Sequence, residues 1–567
     1  MKHPLLAATV FALVALNCRA ADTAPLDTAA VDRYLTRAVP FGFSGAVAVV
    51  DGGKIVFARG YGFADRANKV PFTDETFFDV GSIVKTFTGT AIHQLIEQKK
   101  ISLDDTLARF FPDVPEDKKN ITIAQILTHT AGLPTYSGED YELVNREEMV
   151  RRTFAAKLTS TPGTKWAYSN TGYSVLAVLV EKLTGESFEA YVNEHLMKPS
   201  GLAHTGYTIP SWFGRTIAHG YRKGVDDGTP LDKAWFGDGP SWTLRGNGGF
   251  LSNVNELARW AIAFRGTSLL SAETLARALE PRIDTGRTAG EQMAYGWFFE
   301  QAPQGRLVSH SGGNPYFGTN LRRYIDRDVA IVFTTNDVSA NMNPYEKNVA
   351  ALLFGATNIA LPPEVTANVD LAKFAGHYRL PSGRELELRF TNGQLVVDPK
   401  AAAEVVALVR PAGALTTPRA QEVERAAKAA FTGVGKGDLA PLLATLVADA
   451  PPQGEKDFWA EWLTERQKEL GAFVSATPLW TLQSKDELHT TVFMQFQKGA
   501  EIVRWEQRPN GTYAQAFPPR RLPLLYGLAA ASPAELVVWN PLLGASARIR
   551  VDGGALVFDG VRAEPMR

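Results

Sequence analysis

At 567 residues the chain is too long for one hydrophobic core, and length alone predicts two to four domains. It is 45% hydrophobic and 21% charged, with a formal net charge of −1 at pH 7, the composition of an ordinary globular protein. Acidic and basic residues nearly cancel and no basic run of the kind that tracks phosphates occurs, which argues against a nucleic-acid partner.

The first element is an export signal. Lys2 and His3 precede the apolar stretch LLAATVFALVAL (Leu5 to Leu16), and Cys18-Arg19-Ala20 then offers small residues at the positions a signal peptidase inspects. The stretch falls short of the roughly 20 apolar residues a membrane span needs, so residues 1–20 read as a cleaved signal peptide and no transmembrane segment is expected. The mature protein would be periplasmic or extracellular. A lipid anchor on Cys18 is the competing reading, which Ala15-Leu16-Asn17, a poor lipidation box, does not favour. Cys18 is the only cysteine, so cleavage after Ala20 leaves no thiol for a disulfide, a nucleophile or a metal.

A short amphipathic helix is expected over about Leu26 to Ala38. In SGAVAVVDGGKIVFARGYG two apolar runs flank Asp51-Gly52-Gly53, a hairpin in which the glycines supply the positive φ of a tight turn. From Ser82 to about Gln98 the period is helical. Ile83, Val84, Phe87, Ala91 and Leu95 share one face, with Ser82, Lys85 and Gly89 opposite. Leu103 to Phe264 reads mostly as helices and loops. GRLVSHSGG, NLRRYIDRD and VAIVFTTN then read as consecutive antiparallel strands, closed by a helix around Tyr345 to Phe354. The fold class is therefore α/β, an antiparallel sheet flanked by helices with an inserted helical domain, over residues 21–358. The cleft between sheet and insert is the natural place for a site.

Pro362 and Pro363 mark a linker. HYRLPSGRELELRFTNGQLVVD alternates around Asn392-Gly393, a strong hairpin signal, and the tail (ELVVWN, SARIRV, ALVFDGV) returns to short strands. These predict a small β domain split over 368–410 and 520–567, interrupted by an α+β module at 415–518 with three helical stretches and then strands. Trp459, Trp462, Trp480 and Trp505 in that module read as core.

Ser82 and Lys85 form the only S-x-x-K in the sequence. At i and i+3 on a helix both side chains project from one face, so an amine can touch the hydroxyl. A serine hydroxyl is a weak nucleophile, and the amine helps only when unprotonated. Lysine ordinarily titrates at about 10.4, and bringing it near neutrality takes roughly 4 kcal/mol of differential interaction, which burial can supply. Alone, the pattern reads better as a capped helix with a solvated lysine, because four residues with two fixed positions are a cheap match. Tyr168-Ser169-Asn170 sits in a turn before a helix, where the phenol can shuttle a proton and the amide can hydrogen-bond a substrate. Tyr191-Val192-Asn193 is mid-helix, where i and i+2 diverge, and reads as packing. His310-Ser311-Gly312 lies on a strand whose edge could receive a substrate backbone, with His310 as a donor facing the cleft. His204-Thr205-Gly206 and His129 read as structural. No G-x-S-x-G elbow and no H-E-x-x-H cluster occurs, and neither metal nor cofactor is expected.

The ordered set S-x-x-K, Y-x-N and H-x-G resembles the penicillin-recognising serine hydrolases, in the branch of class C β-lactamases, DD-peptidases and esterases with the β-lactamase/transpeptidase-like fold. SGAVAVV, ISLDDTL, ILTHTAGLP, MKPSGL, GNGGFLSN and VAIVFTTN extend the resemblance from about Ser44 to Phe354. It implies Ser82 as the acylated nucleophile, Lys85 as its activating partner and Tyr168 as a general base or acid. It implies Asn170, His310, Ser311, Gly312 and Gly313 as substrate-binding, with the Ser82 and Gly313 N–H groups as an oxyanion hole. His310 stands where many β-lactamases of this branch carry lysine, and so resembles DD-peptidases, D-amino-acid peptidases and esterases. The accessory regions resemble lipocalin-like β domains and the cone-shaped fold of nuclear transport factors.

The expected activity is hydrolysis of an amide or ester through an acyl-enzyme, on D-amino-acid peptides in DD-carboxypeptidase fashion or on small esters, with β-lactams ranked lower. The partner is a small-molecule or peptide substrate, cell-wall peptides among the candidates. The alternative is a non-hydrolytic penicillin-binding or sensor protein whose C-terminal module carries the biological role.

Overall fold

A computed structural model describes residues 25–566 apart from 288–289, 339–341, 366–367, 399, 402, 412, 446–451, 485–486, 508–512, 518–525, 542–543 and 559. The expected signal peptide and Cys18 lie outside the described residues.

Helix α1 (Thr28–Ala38) starts where the Asp27 carboxylate accepts the Ala30 N–H at 2.8 Å, a side-chain N-cap. Its apolar stripe of Val31, Tyr34, Leu35 and Ala38 is buried against the back of a sheet. Strands β1 (Gly45–Asp51) and β2 (Lys54–Tyr61) form the expected hairpin, turning through Gly52 and Gly53 at φ 55° and 79°. The strands β3 (Gly305–Gly313), β4 (Gly318–Tyr324) and β5 (Val329–Thr335) come from the other end of the unit. β5 pairs antiparallel with β1 from Gly45↔Thr335 to Asp51↔Val329, giving the order β2-β1-β5-β4-β3, which Phe298–Ala302 and two short strands continue. Everything between β2 and β3 lies between strands of one sheet, so the helices there are an insertion.

Helix α2 (Val84–Glu97) departs from a simple two-faced reading. Every residue from Val84 to His93 is buried, Lys85 included, because helix α3 (Asn170–Thr184), Phe188–Val192 and Ala272–Leu279 pack around it and the Trp260 ring stacks on Phe87 at 3.9 Å. A helix enclosed all round is a central element, and its polar residues must find partners inside the protein.

Beyond residue 370, Gly376–Arg379, Glu385–Thr391 and Gln394–Val397 join five strands between Tyr526 and Pro565 in a closed eight-stranded barrel. The intervening chain forms two long helices (Pro418–Lys436 and Pro452–Leu470), a short one between them and a four-stranded sheet from Phe473 to Phe517. Trp459, Trp480 and Trp505 are buried there as core. The barrel docks on the first unit through Trp539, whose ring lies 5.8–5.9 Å from those of Tyr34, Phe41 and Tyr345. Thr391 Oγ1 and Asn392 Nδ2 also donate to the Gly224 carbonyl at 2.7 and 2.8 Å.

Candidate active site

The serine sits on a single 3-10 turn, Gly81–Ile83, that runs into α2. The Asp79 carboxylate fixes this turn by accepting the Gly81 N–H at 2.7 Å, and accepts the Asn314 amide at 2.9 Å from the loop after β3. Two glycines let β3 reach it. A Cβ on Gly312 would stand 1.9 Å from Val80 O and 3.0 Å from Ser82 N, and one on Gly81 would stand 2.4 Å from Gly313 N. Gly81 also has φ +53°, a conformation that suits glycine. The amides of Ser82 and Gly313 are thereby held side by side across a contact that no larger residue permits.

Lys85, one turn on, lies with Nζ 3.0 Å from Ser82 Oγ and donates to the Asn247 carbonyl at 2.8 Å. It is fully buried between the rings of Tyr168 and Tyr173, 4.9 and 5.8 Å from Nζ. Burial drives its pKa well below lysine's ordinary value, and Asp140 pulls weakly the other way. A neutral amine that gives one N–H to Asn247 O has a lone pair left to accept the serine proton. Residue type does not single out Asn247, because only its backbone oxygen meets Lys85; the GNGGF run around it is the signal the sequence offers.

Tyr168 is held by its neighbours. Ser169 caps α3 by accepting the Gly172 N–H at 3.0 Å, donates its hydroxyl to Pro134 O at 2.7 Å, and gives its N–H to His129 Nδ1 at 3.1 Å. The Tyr168 hydroxyl hydrogen-bonds Ser82, and burial keeps the phenol protonated far above its ordinary range. His129, buried at φ +57°, stacks on Tyr168 at 4.3 Å and on Tyr173 at 5.0 Å. It supports the tyrosines and touches no reacting atom. Asn170 lines the cleft beside Ser82.

His310 is placed differently from the expectation of a donor facing the cleft. It is 1% exposed, its ring 5.2 Å from Phe298 and 6.5 Å from Tyr168, and Nδ1 donates to the Ser311 carbonyl at 2.7 Å. Burial, aided by Lys85, lowers its pKa to about 3, so the ring is neutral and its remaining nitrogen is an acceptor. Strand alternation explains this: His310 points inward where Ser311 and Gly313 are exposed. The two look-alike motifs are elsewhere engaged, Tyr191 buried against His195 and Thr205 donating to Glu256 at 2.6 Å.

Ser82 opens into a cleft of about 780 Å³, bounded by β3's end, the 136–141 loop and the 244–249 turn. Among the described residues, no helix is long and apolar enough to cross a membrane.

A family model described as Beta-lactamase matches residues 39–356. Penicillin-binding protein 4* of Bacillus subtilis (strain 168) is 27% identical over 389 residues, 63% of this chain and 84% of that protein. Protein flp of Staphylococcus aureus (strain MW2) is 25% identical over 304 residues, 51% of this chain and 59% of its own. Among solved structures, the octameric penicillin-binding protein homologue from Pyrococcus abyssi superposes with a TM-score of 0.51 over 94% of this chain and 98% of that one, at 18% identity. That likeness extends the shared fold through the C-terminal barrel and module.

Proposed function

We propose, from the premise that this chain belongs to the beta-lactamase family, that it is an exported serine hydrolase acting on amide or ester substrates through an acyl-enzyme on Ser82. The observation that carries the reading is the buried Lys85 amine, 3.0 Å from Ser82 Oγ, with its proton affinity depressed by desolvation. Ser82 Oγ attacks the substrate carbonyl while its proton passes to Lys85 Nζ. The Ser82 and Gly313 N–H groups take up the charge developing on the carbonyl oxygen. The C–N or C–O bond then breaks as the leaving group receives a proton through Tyr168, which is protonated and bonded to Ser82. Water attacks the resulting ester with the same residues in reverse, releasing the acid and restoring the serine. Tyr168 is thus the acid and relay, and Lys85 the base.

Esters and amino-acid amides or peptides suit the cleft better than β-lactams. A β-lactam presents a carboxylate, and among the described residues no lysine or arginine lines the cleft. His310, neutral and buried, supplies no cation either. The test is a panel of p-nitrophenyl esters, D-alanyl peptides and nitrocefin, run on the full chain beside Ser82→Ala. Ester or peptide turnover above cephalosporin turnover is expected. Labelling of Ser82 by a fluorophosphonate with no substrate consumed beyond one equivalent would favour the non-hydrolytic sensor instead.

A further inference from the structure

The lining of the cleft around Ser82 carries carboxylates and no cation among the described residues; Lys233, 5.7 Å from the Tyr141 ring, stands behind it and is paired with Asp227. Its ionisable groups are Asp79, Glu139, Asp140, Tyr136 and Tyr141. Arg287, whose charge reaches Tyr168, lies over the Trp166 and Phe298 rings at 5.1 and 4.4 Å and pairs with Glu291 at 2.8 Å. The three carboxylates differ. Asp79 is engaged by Gly81 and Asn314, and Glu139 is exposed to water. Asp140 is half-buried in the cleft wall, and among the described residues neither a hydrogen bond nor an ion pair reaches its oxygens. Lys85 attracts it when protonated, and Glu139 repels it, both through space. A partly desolvated carboxylate left unpaired costs free energy that a bound cation would offset.

A second observation points the same way. Asn170, on the same cleft, has Oδ1 buried without a hydrogen-bond partner. Asn170 Oδ1 is an acceptor and so are the Asp140 oxygens, which are open to the cleft, so the group that suits this wall is a donor, and a carboxylate binds a charged donor best. The loop carrying Asp140 is fixed in place: Thr243 Oγ1 donates to Glu139 O at 3.1 Å, and Arg152 holds Ser137 O at 3.3 Å and Glu142 at 2.8 Å.

We infer that the substrate presented to Ser82 carries an ammonium group that pairs with Asp140, with Asn170 Oδ1 as a second acceptor for its N–H groups. This rests on the serine-hydrolase reading and narrows it to amino-acid esters, amino-acid amides and peptides with a free amine. A substrate that places a carboxylate at this position is repelled by Asp140 and Glu139, which sets carboxypeptidase-type substrates below aminopeptidase-type ones.

The experiment compares p-nitroanilides of D- and L-alanine with the amine free or acetylated, on the full chain and on Asp140→Asn and Asp140→Glu. Alaninamide and N-acetylalaninamide are run in parallel as competitors of fluorophosphonate labelling at Ser82. The free amine should be preferred by about tenfold or more in kcat/KM, chiefly through KM, with the preference weakening as salt rises. D140N should bring the ratio close to one, and D140E should restore part of it. Equal or better use of the acetylated compounds, or a ratio unmoved in D140N, overturns the ammonium assignment. So does a Ser82 that labels yet shows no amine preference in turnover or competition. A Ser82 that does not label overturns the serine-hydrolase reading, and the assignment falls with it.

Discussion

The surroundings of Ser82 and the core of the 418–517 module both bury clusters of aromatic rings, yet they treat polar groups in opposite ways. In the module, Phe431, Trp459 and Trp505 pack edge to face at 5.7–5.9 Å among alanine, valine and methionine. Its buried hydroxyls, Thr481 and Thr490, bond each other at 2.9 Å. Around Ser82, Tyr168 and Tyr173 enclose Lys85, His129 and Asp79 lie close by, and burial displaces each from its ordinary proton affinity, Asp79 to about 6. Burying an ionisable group costs free energy wherever it is done. A chain that accepts this cost in one region and avoids it in another separates the part that reacts from the part that holds shape.

Substitutions can break that contrast, and Ser82→Ala should have the largest effect. It removes the only attacking atom, so fluorophosphonate labelling and turnover should vanish while the circular dichroism spectrum stays that of the parent. Lys85→Arg comes next. A guanidinium does not lose its proton at usable pH, and kcat should drop by about 10²–10⁴. Gly312→Ala should cost roughly 10²-fold in turnover, because its methyl would meet Val80 O and move the strand that carries the Gly313 amide. In contrast, Trp505→Ala should lower module stability by about 3–5 kcal/mol in denaturant unfolding and leave Ser82 labelling intact. A loss of labelling there would show the two regions to be one cooperative unit.

Two pH measurements sharpen the comparison with smaller effects. The acid limb of kcat/KM reports the Lys85 amine and should lie below lysine's ordinary range. Asp140 raises that affinity, so Asp140→Asn should move the limb to lower pH. His310 resists protonation down to about pH 3 in the folded state, against 6.5 for an unperturbed imidazole. As pH falls below 6.5 the unfolded chain gains a proton that the folded one refuses, so stability declines until about pH 3. His310→Phe should flatten that part of the stability profile.

Local patterns carried most of the legible information. S-x-x-K at helical spacing, Y-S-N before an apolar helix and two glycines after H-S are short-range signals, and the structure brings Ser82, Lys85, Tyr168, Asn170 and Gly313 together. The hairpin at Gly52-Gly53 and the strands from Gly305 to Thr335 followed from alternation and turn residues. Tertiary facts were hidden. Asn247 serves through its carbonyl, which no side-chain pattern encodes. Asp140 lies in a Gly-Glu-Asp loop that reads like any solvated turn, and only its position against the cleft leaves it half-buried. The direction of His310 was decided by one step of strand register, the quantity a single sequence fixes least well.

The pairing of β1 with β5 sets a clock on this chemistry. The serine is made early in synthesis, at position 82, but the Gly313 amide and the strand that locks β1 into the sheet, ending at Thr335, come some 230 to 250 residues later. At a synthesis rate of about 5–20 residues per second, the nucleophile waits on the order of tens of seconds before its other half exists. A nascent chain therefore has no working acylation site until the strand ending at Thr335 has been made.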